Sequence, residues 1–186
     1  PAHGWNQRFE YRCIRTVIKP KLEEIGFKYD SRSRNFRMLS GKTGSVKIIN
    51  FQVGQRFLEG KFTVNLAIFN PEFYNGKEDP PSLDNVKEYD CLPAFRQRLG
   101  MLIETRFTLF FLKLFGPRDR WWKYMFGPKD RWWKCSVSER STTISVMKAM
   151  EYILIQGLEW LDKNDDLSLL KKSYDQVQAR LKIFEK

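Results

Sequence analysis

Apolar positions along the first third of the chain change their spacing once, and the change separates a helix from a sheet. Residues 5–25 carry an apolar stripe at helical spacing, which Pro20 is expected to kink or split, and Gly26 is placed to stop the helix. After Gly26, short runs of β-branched and aromatic residues predict strands at 35–39, 46–53 and 61–69. A turn-rich connection at 40–44 joins the first two strands as a hairpin.

The alternation within the second and third strands also predicts how they pair. One register brings six apolar side chains together on one face, in the pairs Val53 with Phe62, Phe51 with Val64, and Ile49 with Leu66. On the other face the same register pairs Asn50 with Asn65 and Gln52 with Thr63, and Arg98 is a candidate to reach that surface. A slip of one residue would mix the apolar and polar sets, so the pattern selects this register. This polar strand face is either a hydrogen-bond network beneath the helices or the lining of a cleft for a ligand or peptide.

The middle of the chain carries mixed signals. Residues 70–92 are rich in Pro, Asn and Asp, which is typical of a long loop. Residues 98–103 fit either a further strand or the end of a helix, and the apolar residues of 104–115 fit both spacings.

The last third of the chain has the spacing of helices. Ser141 or Thr142 is a candidate N-cap, and apolar residues recur at helical spacing through 144–161. A polar turn at 163–166 then precedes a final helix at 167–184. The predicted fold class is therefore α+β, with an N-terminal helix, an antiparallel sheet of four or five strands, and two C-terminal helices.

An eleven-residue segment occurs twice in succession, as LFGPRDRWWKY at 114–124 and MFGPKDRWWKC at 125–135. Two copies are too few for a solenoid, and both cannot occupy one place in a sheet. The second copy leads directly into the C-terminal helix, so its residues 130–135 are expected to be integral to the fold, and an inserted protrusion is expected around 104–124. Since Trp and Arg dominate protein hot spots, the candidate partner-binding residues in the first copy are Arg118, Arg120, Trp121, Trp122 and Lys123. Two alternatives are base stacking on these Trp rings and packing of at least one copy in the core.

Composition favours one basic domain over the whole range 1–186. A hydrophobic content of 42% in 186 residues supplies one well-buried core. The net charge of +11 is concentrated in two blocks, since 1–50 holds 11 basic and 4 acidic residues and 101–150 holds 10 and 4. Such blocks suit an acidic protein partner, a nucleic acid or an anionic membrane surface, or they serve only as a solvated surface.

The residues that would support catalysis or metal binding are sparse. Cys13, Cys91 and Cys135 are widely spaced, and His3 is the only histidine, so neither a disulfide framework nor a Cys/His metal site is expected. With no recognisable active site, we expect no enzyme activity and no cofactor. The longest apolar run, 107–115, is too short to span a bilayer and the chain starts without a signal-peptide pattern, which predicts a cytoplasmic protein.

An ordered set of fragments resembles a family known only as an uncharacterised bacterial domain of unknown function, number 4304. The matching fragments are 19–28, 35–39, 48–52, 62–69, Cys91 with 98–102, and 130–133. Together they cover about 15–161, and the duplicated repeat and the apolar segment before it depart from the family pattern. The resemblance implies an α+β fold and bacterial origin, with no activity to carry over. Asn50, Gln52, Asn65 and Arg98 fall inside matched fragments.

The function expected from these observations is a non-enzymatic binding protein for a protein partner, for example an immunity-type or accessory protein. The basic charge suits an acidic partner. The alternative is a nucleic-acid-binding protein that uses the basic blocks and the Trp/Arg/Lys repeats. The sequence does not specify the partner or the oligomeric state.

Overall fold

The structure, a computed structural model, describes residues 10–76, 78–103, 131–135 and 139–184. Within these residues the strands are β1 Lys28–Asp30, β2 Asn35–Leu39, β3 Val46–Val53, β4 Lys61–Phe69, β5 Arg96–Arg98 and β6 Trp133–Lys134. Short 3-10 turns lie at Arg56–Leu58, Pro71–Phe73, Glu88–Asp90, Pro93–Phe95 and Leu99–Met101.

Three helical elements accompany the sheet. Helix α1 starts as a π-helical stretch, Glu10–Ile18, and continues as the α-helical Lys19–Glu24. Helix α2 is the continuous run of Glu139–Tyr152, the π-helical Ile153–Gly157, and Leu158–Asn164. Helix α3 is Leu167–Phe184. With the antiparallel sheet, these helices confirm the α+β class.

The ends of the helices agree with the sequence signals in part. Pro20 lies in the first turn of the α-helical part of α1, where the winding changes from π to α. Gly26 follows this helix with a φ of 98°, a left-handed conformation that glycine adopts without strain. The expectation that Ser141 or Thr142 caps α2 is wrong, because the helix is already formed at Glu139.

The sheet is antiparallel, in the order β1-β2-β3-β4-β5, and β6 pairs with the same edge of β4 as β5 does. Strand β5 lies along 65–67 of β4, and β6 lies along 61–62. One strand position is thus filled by two short segments that are far apart in sequence. The sheet has six strands in the described residues rather than four or five, because three-residue β1 and two-residue β6 are too short to show alternation.

The predicted register between β3 and β4 is confirmed at every predicted position. The observed pairs include Val53 with Phe62, Phe51 with Val64, Ile49 with Leu66, Asn50 with Asn65, and Gln52 with Thr63. Because apolar and polar residues alternate through 49–53 and 61–66, only this pairing places each set on its own face.

The three helices cover one face of the sheet, which we call the inner face. A row of aromatic rings crosses it, with centroid distances of 5.8 Å from Phe36 to Phe51, 6.3 Å from Phe51 to Phe62, and 5.6 Å from Phe62 to Trp133. Buried residues of the helices complete this core, and they include Ile14, Ile18, Leu22, Val146, Ala149, Met150, Ile153, Leu161 and Leu170. The core therefore joins all three helices to the inner face.

Part of the opposite face, the outer face, is covered by the loop at 70–92. There a smaller apolar cluster forms from Val46, Ile48, Ala67, Phe69, Val86 and Cys91. The loop thus gives the sheet a second, smaller core on the side away from the helices. The remainder of the outer face carries the polar residues of β3 and β4.

A buried carboxylate joins the turn between α2 and α3 to the turn between β2 and β3. Asp165 is 2% exposed. It accepts hydrogen bonds from Ser40 Oγ at 2.6 Å and from Thr43 Oγ1, and Lys47 Nζ lies 3.3 Å away. Burial alone would raise the pKa of Asp165, but these hydrogen bonds and the Lys47 charge lower it below its usual value. Asp165 is therefore held ionised between two distant parts of the chain.

Candidate functional site

A single row of polar residues crosses five strands on the outer face. Its members are Asp30, Asn35, Asn50, Asn65 and Arg98, each directly opposite the next on the neighbouring strand. Directly opposite residues of paired strands point to the same side of a sheet, so these five side chains share one face. We call them the polar row.

The amides of the polar row donate their hydrogen bonds in one direction. Asn65 Nδ2 donates to Asn50 Oδ1 at 3.2 Å and to Gln52 Oε1 at 3.1 Å. Asn50 Nδ2 donates in turn to Asn35 Oδ1 at 2.7 Å and to the Ser33 carbonyl at 3.2 Å. The chain ends at the fully buried Asn35, whose Nδ2 has no acceptor among the described residues. One buried donor thus stays unsatisfied at this end, at a cost of about 1–3 kcal/mol.

Beyond Asn35 the row ends in an ion pair. The carboxylate of Asp30 accepts hydrogen bonds from Ser33 Oγ at 2.6 Å, the Arg32 N–H at 3.0 Å and Arg37 Nη1 at 3.1 Å. Burial would raise the pKa of Asp30, but these partners lower it. The buried Arg37 also donates from Nε to the Val86 carbonyl at 2.6 Å. The charge of Asp30 is therefore matched by Arg37, which also fastens the loop to the sheet.

A pocket of about 530 Å³ opens beside this end of the polar row. Its lining includes Asn35 and Asn50 of the row, Arg32 of the turn after β1, and Lys87 and Glu88 of the loop. Hydrogen-bonding and charged groups therefore surround the space, and they come from three separate parts of the chain.

The other end of the row meets the second copy of the repeat. The guanidinium of Arg98 lies over the ring of Trp132, 5.6 Å from its centroid, and Trp132 is half-buried. The next residue, Trp133, is buried in the core and stacks on Phe62. These two adjacent tryptophans thus face opposite sides, Trp133 towards the core and Trp132 towards the polar row.

A close approach at Gly100 allows the second copy of the repeat to lie beside β4. A side-chain carbon on Gly100 would lie 2.4 Å from the backbone nitrogen of Arg131, so only glycine allows this approach. Thr63 Oγ1 donates to the Arg131 carbonyl at 3.2 Å, which fastens the same residue to β4. The chain therefore returns at Arg131 close to where it left the sheet. The second copy, in its described part, is integral to the fold as expected.

The five predicted residues of the polar strand face come together as the sequence indicated. Gln52 is exposed, Asn65 and Arg98 are half-buried, and Asn50 and Thr63 are buried. The hydrogen-bond network exists, but its expected position beneath the helices is wrong, because the helices cover the inner face.

The candidate partner-binding residues of the first copy lie outside the described residues. These are Arg118, Arg120, Trp121, Trp122 and Lys123, and the protrusion expected around 104–124 lies there as well.

Three residues of the site were missed by sequence reasoning. Asp30 lies on β1, a strand too short to detect, and Asn35 and Arg37 alternate with apolar residues on β2. The alternation at 35–39 was the available signal, since it places Asn35 and Arg37 on one face. What it could not show was that this face continues the one formed by Asn50 and Asn65.

The described residues offer little for covalent or metal chemistry. They contain no group of three or more His, Cys, Asp or Glu that could hold a metal ion. Burial raises the pKa of the Cys91 and Cys135 thiols well above the usual range, which makes them poor nucleophiles. No helix in the same part of the chain is long and apolar enough to cross a membrane. Hydrogen bonding and charge are the means of recognition that the polar row offers.

These features define a class: an α+β domain whose antiparallel sheet is covered by helices on one face and carries a polar row on the other. The chain belongs to the family described as domain of unknown function DUF4304, whose model matches residues 18–163. No curated protein and no solved structure matches the chain.

Proposed function

We propose that this protein is a non-enzymatic binding protein that recognises a protein partner through the outer face of its sheet. The observation that carries this proposal is the accessible part of the outer face, where Gln52 beside the polar row is exposed and Asn65 and Arg98 of the row are half-buried. Asn65 is held by hydrogen bonds to both of its amide neighbours. Polar groups that are already ordered lose little conformational entropy on binding, which favours their use in an interface.

The Arg98–Trp132 stack supports a protein partner over a nucleic acid. Arg and Trp are enriched in protein hot spots, where a ring and a guanidinium form one rigid contact. Single-stranded nucleic acids instead need a free aromatic face for base stacking. One side of the Trp132 ring is already covered by Arg98, so stacking there would compete with an existing contact.

Charge suggests the kind of partner. The whole chain carries +11, and two exposed basic residues lie on the outer face of the short strands beside β4, Arg96 on β5 and Lys134 on β6. Complementary charge increases association rates and rejects basic partners. An acidic partner is the natural complement, and an immunity-type or accessory role in a bacterial cytoplasm is the concrete form that we propose.

The proposal is tested by capture from a lysate of the source cells, with one variant on the face and one matched control. Gln52→Arg places a long cation on the outer face beside the polar row, and Gln176→Arg adds the same charge at an exposed position of α3. We expect at least one protein to be retained by the wild type and by Gln176→Arg, and to be depleted about tenfold or more with Gln52→Arg, which corresponds to about 1.4 kcal/mol. Quantitative mass spectrometry of the captured proteins measures the difference.

Equal capture by both variants would contradict the proposal. Nuclease treatment of the lysate, and binding of a mixed-sequence oligonucleotide over a salt series, distinguish a nucleic-acid-binding protein from a protein that binds another protein. If capture disappears after nuclease treatment, and oligonucleotide affinity falls steeply with salt and depends on Gln52, the protein binds nucleic acid instead.

A further inference from the structure

We propose that the pocket beside Asn35 binds a carboxylate group, which an acidic side chain of the protein partner would present. This inference rests on the proposed function, since it names the chemistry of the same outer face. It concerns the pocket lined by Asn35, Asn50, Arg32, Lys87 and Glu88.

The amide hydrogen bonds of the polar row run in one direction and end at the pocket. Asn65 donates to Asn50, and Asn50 donates to Asn35, so each amide polarises the next in the same sense. The chain ends on Asn35 Nδ2, a buried donor without an acceptor among the described residues, on a residue that lines the pocket. An acceptor oxygen brought into the pocket would satisfy it once the side chains that cover Nδ2 move aside, since the atom is buried. A ligand made only of donors would leave it unsatisfied.

Charged side chains surround the pocket, and the cations among them favour an anionic ligand. Arg32 and Lys87 are exposed, and neither forms a salt bridge with a described residue. Lys87 Nζ lies over the ring of Tyr89, 5.4 Å from its centroid, and Tyr89 also lines the pocket, so this contact holds the ammonium beside the space. The charge of Asp30 is matched by Arg37 at 3.1 Å, which leaves Glu88 as the remaining carboxylate in the lining. Two cations against one anion favour a ligand with a single negative charge. A carboxylate meets this condition, whereas a phosphate with nearly two charges would be opposed by Glu88.

The pocket is continuous with the surface proposed for the partner. Asn50 lines the pocket and accepts a hydrogen bond from Asn65 at 3.2 Å. Asn65 in turn bonds to the exposed Gln52 at 3.1 Å. A partner that lies on the outer face would therefore contact Gln52 and reach the pocket along the same row.

The test uses a short peptide with a single glutamate, blocked at both ends, and a control peptide with glutamine in its place. The whole chain, labelled with ¹⁵N, is titrated with each peptide and followed by NMR. The side-chain amide of Asn35 is the direct reporter, because a new acceptor changes the chemical shifts of the Nδ2 hydrogens. We expect the glutamate peptide to shift this signal and to bind about tenfold or more tightly than the glutamine peptide.

Two double variants then test whether the pocket is responsible. Arg32→Gln with Lys87→Gln removes both cations at exposed positions, and Lys171→Gln with Lys172→Gln removes the same charge from exposed positions of α3. We expect the first pair to weaken glutamate-peptide binding about tenfold, and the second pair to leave it unchanged.

Equal shifts with both peptides, or equal binding by both double variants, would overturn the inference. So would a shift of the Asn35 signal by inorganic phosphate but not by the glutamate peptide. The two proposals fail separately. If Gln52→Arg abolishes capture of a partner while the glutamate peptide leaves Asn35 unperturbed, only the carboxylate inference is wrong. If the peptide binds as expected and no captured protein depends on Gln52, only the proposed function is wrong.

Discussion

At the scale of single residues, Phe62 shows how one side chain serves two parts of the sheet. It is fully buried and pairs with Val53 on one side and Trp133 on the other. Its ring lies 6.3 Å from the ring of Phe51 and 5.6 Å from that of Trp133. Removal of this ring would therefore leave a cavity between a local hairpin partner and a strand that comes from far along the chain.

We expect Phe62→Ala to lower the free energy of unfolding by about 3–5 kcal/mol, because a buried ring is lost and its neighbours cannot collapse fully. Phe57→Ala is the control, since Phe57 is 89% exposed in the loop between β3 and β4 and its loss should change stability by less than about 0.5 kcal/mol. Urea denaturation of both variants measures the difference. Comparable losses would show that Phe62 does not lie in the core.

At the scale of elements, the two short strands beside β4 show how a repeat enters a sheet. Strand β5 and strand β6 occupy one edge, and the close approach of Gly100 to Arg131 brings the segments together. Because the chain leaves and returns at nearly the same point, the length of the segment between them is not set by the sheet. One copy of the repeat is therefore sufficient to supply β6.

Deletion of either copy of the repeat leaves nearly the same sequence before helix α2. The two deletion variants differ most at the last position of the copy that remains, which is Cys135 in one variant and Tyr124 in the other. Removal of 114–124 keeps Cys135, which is buried. Removal of 125–135 places Tyr124 at that position, where a much larger side chain must fit. We expect the first deletion to preserve stability and the second to cost about 1–3 kcal/mol through overpacking.

Thermal or urea denaturation of the two deletion variants measures this difference. Restoring cysteine in the second variant, as Tyr124→Cys, is the control and should recover the stability. If the second deletion is as stable as the first, or if cysteine does not rescue it, the fit at Cys135 is not what distinguishes the copies. If the first deletion loses partner capture while keeping stability, the first copy contributes to the interface, as proposed for Trp121 and Trp122.

At the scale of the whole molecule, Asp165 connects the turn between the last two helices to the turn between β2 and β3. Its carboxylate accepts hydrogen bonds from Ser40 and Thr43 in the turn between β2 and β3. Lys47 contacts both Asp165 and Asp162, and its Nζ lies 2.6 Å from Asp162 Oδ1. These contacts span more than a hundred residues of sequence. They fix the α2–α3 turn against the end of the sheet.

The lowered pKa of Asp165 predicts how stability changes with pH. A carboxylate whose pKa is lower in the folded state than in the unfolded state stabilises the fold above the unfolded value, about pH 4. The stabilisation is lost as the pH falls from there through the folded pKa. We expect Asp165→Asn to cost about 2–4 kcal/mol at pH 7, and the cost to shrink progressively below about pH 4 as wild-type Asp165 is protonated.

The free energy of unfolding of wild type and Asp165→Asn is measured by urea denaturation from pH 3 to pH 7, in steps on the order of half a pH unit. Asp162→Asn is the control, because Asp162 also contacts Lys47 but its side chain is 71% exposed, and a surface ion pair contributes at most about 1 kcal/mol. A difference between wild type and Asp165→Asn that does not change with pH would show that ionisation of Asp165 contributes nothing.

The sequence by itself determined the helices, the three long strands and the register of β3 on β4. Alternation over 49–53 and 61–66 leaves a single pairing that separates Phe51 and Phe62 from Asn50 and Asn65. The same pattern predicts four residues of the polar face, Asn50, Gln52, Thr63 and Asn65, whereas Arg98 was only a candidate from a segment with ambiguous spacing. Local periodicity therefore specified both the core side of the central hairpin and part of the candidate site.

Tertiary structure decided which elements surround that hairpin. Strands of two or three residues carry no periodic signal, so β1 and β6 became visible only through their pairing with β2 and β4. No local pattern relates the residues that these contacts join. The contacts are those of Asp30 with Arg37, of Arg98 with Trp132, and of Asp165 with the turn between β2 and β3. They form because packing against the long strands brings distant segments together. The same packing places the helices on the apolar face of the sheet, so that the outer face stays accessible at Gln52 beside the polar row.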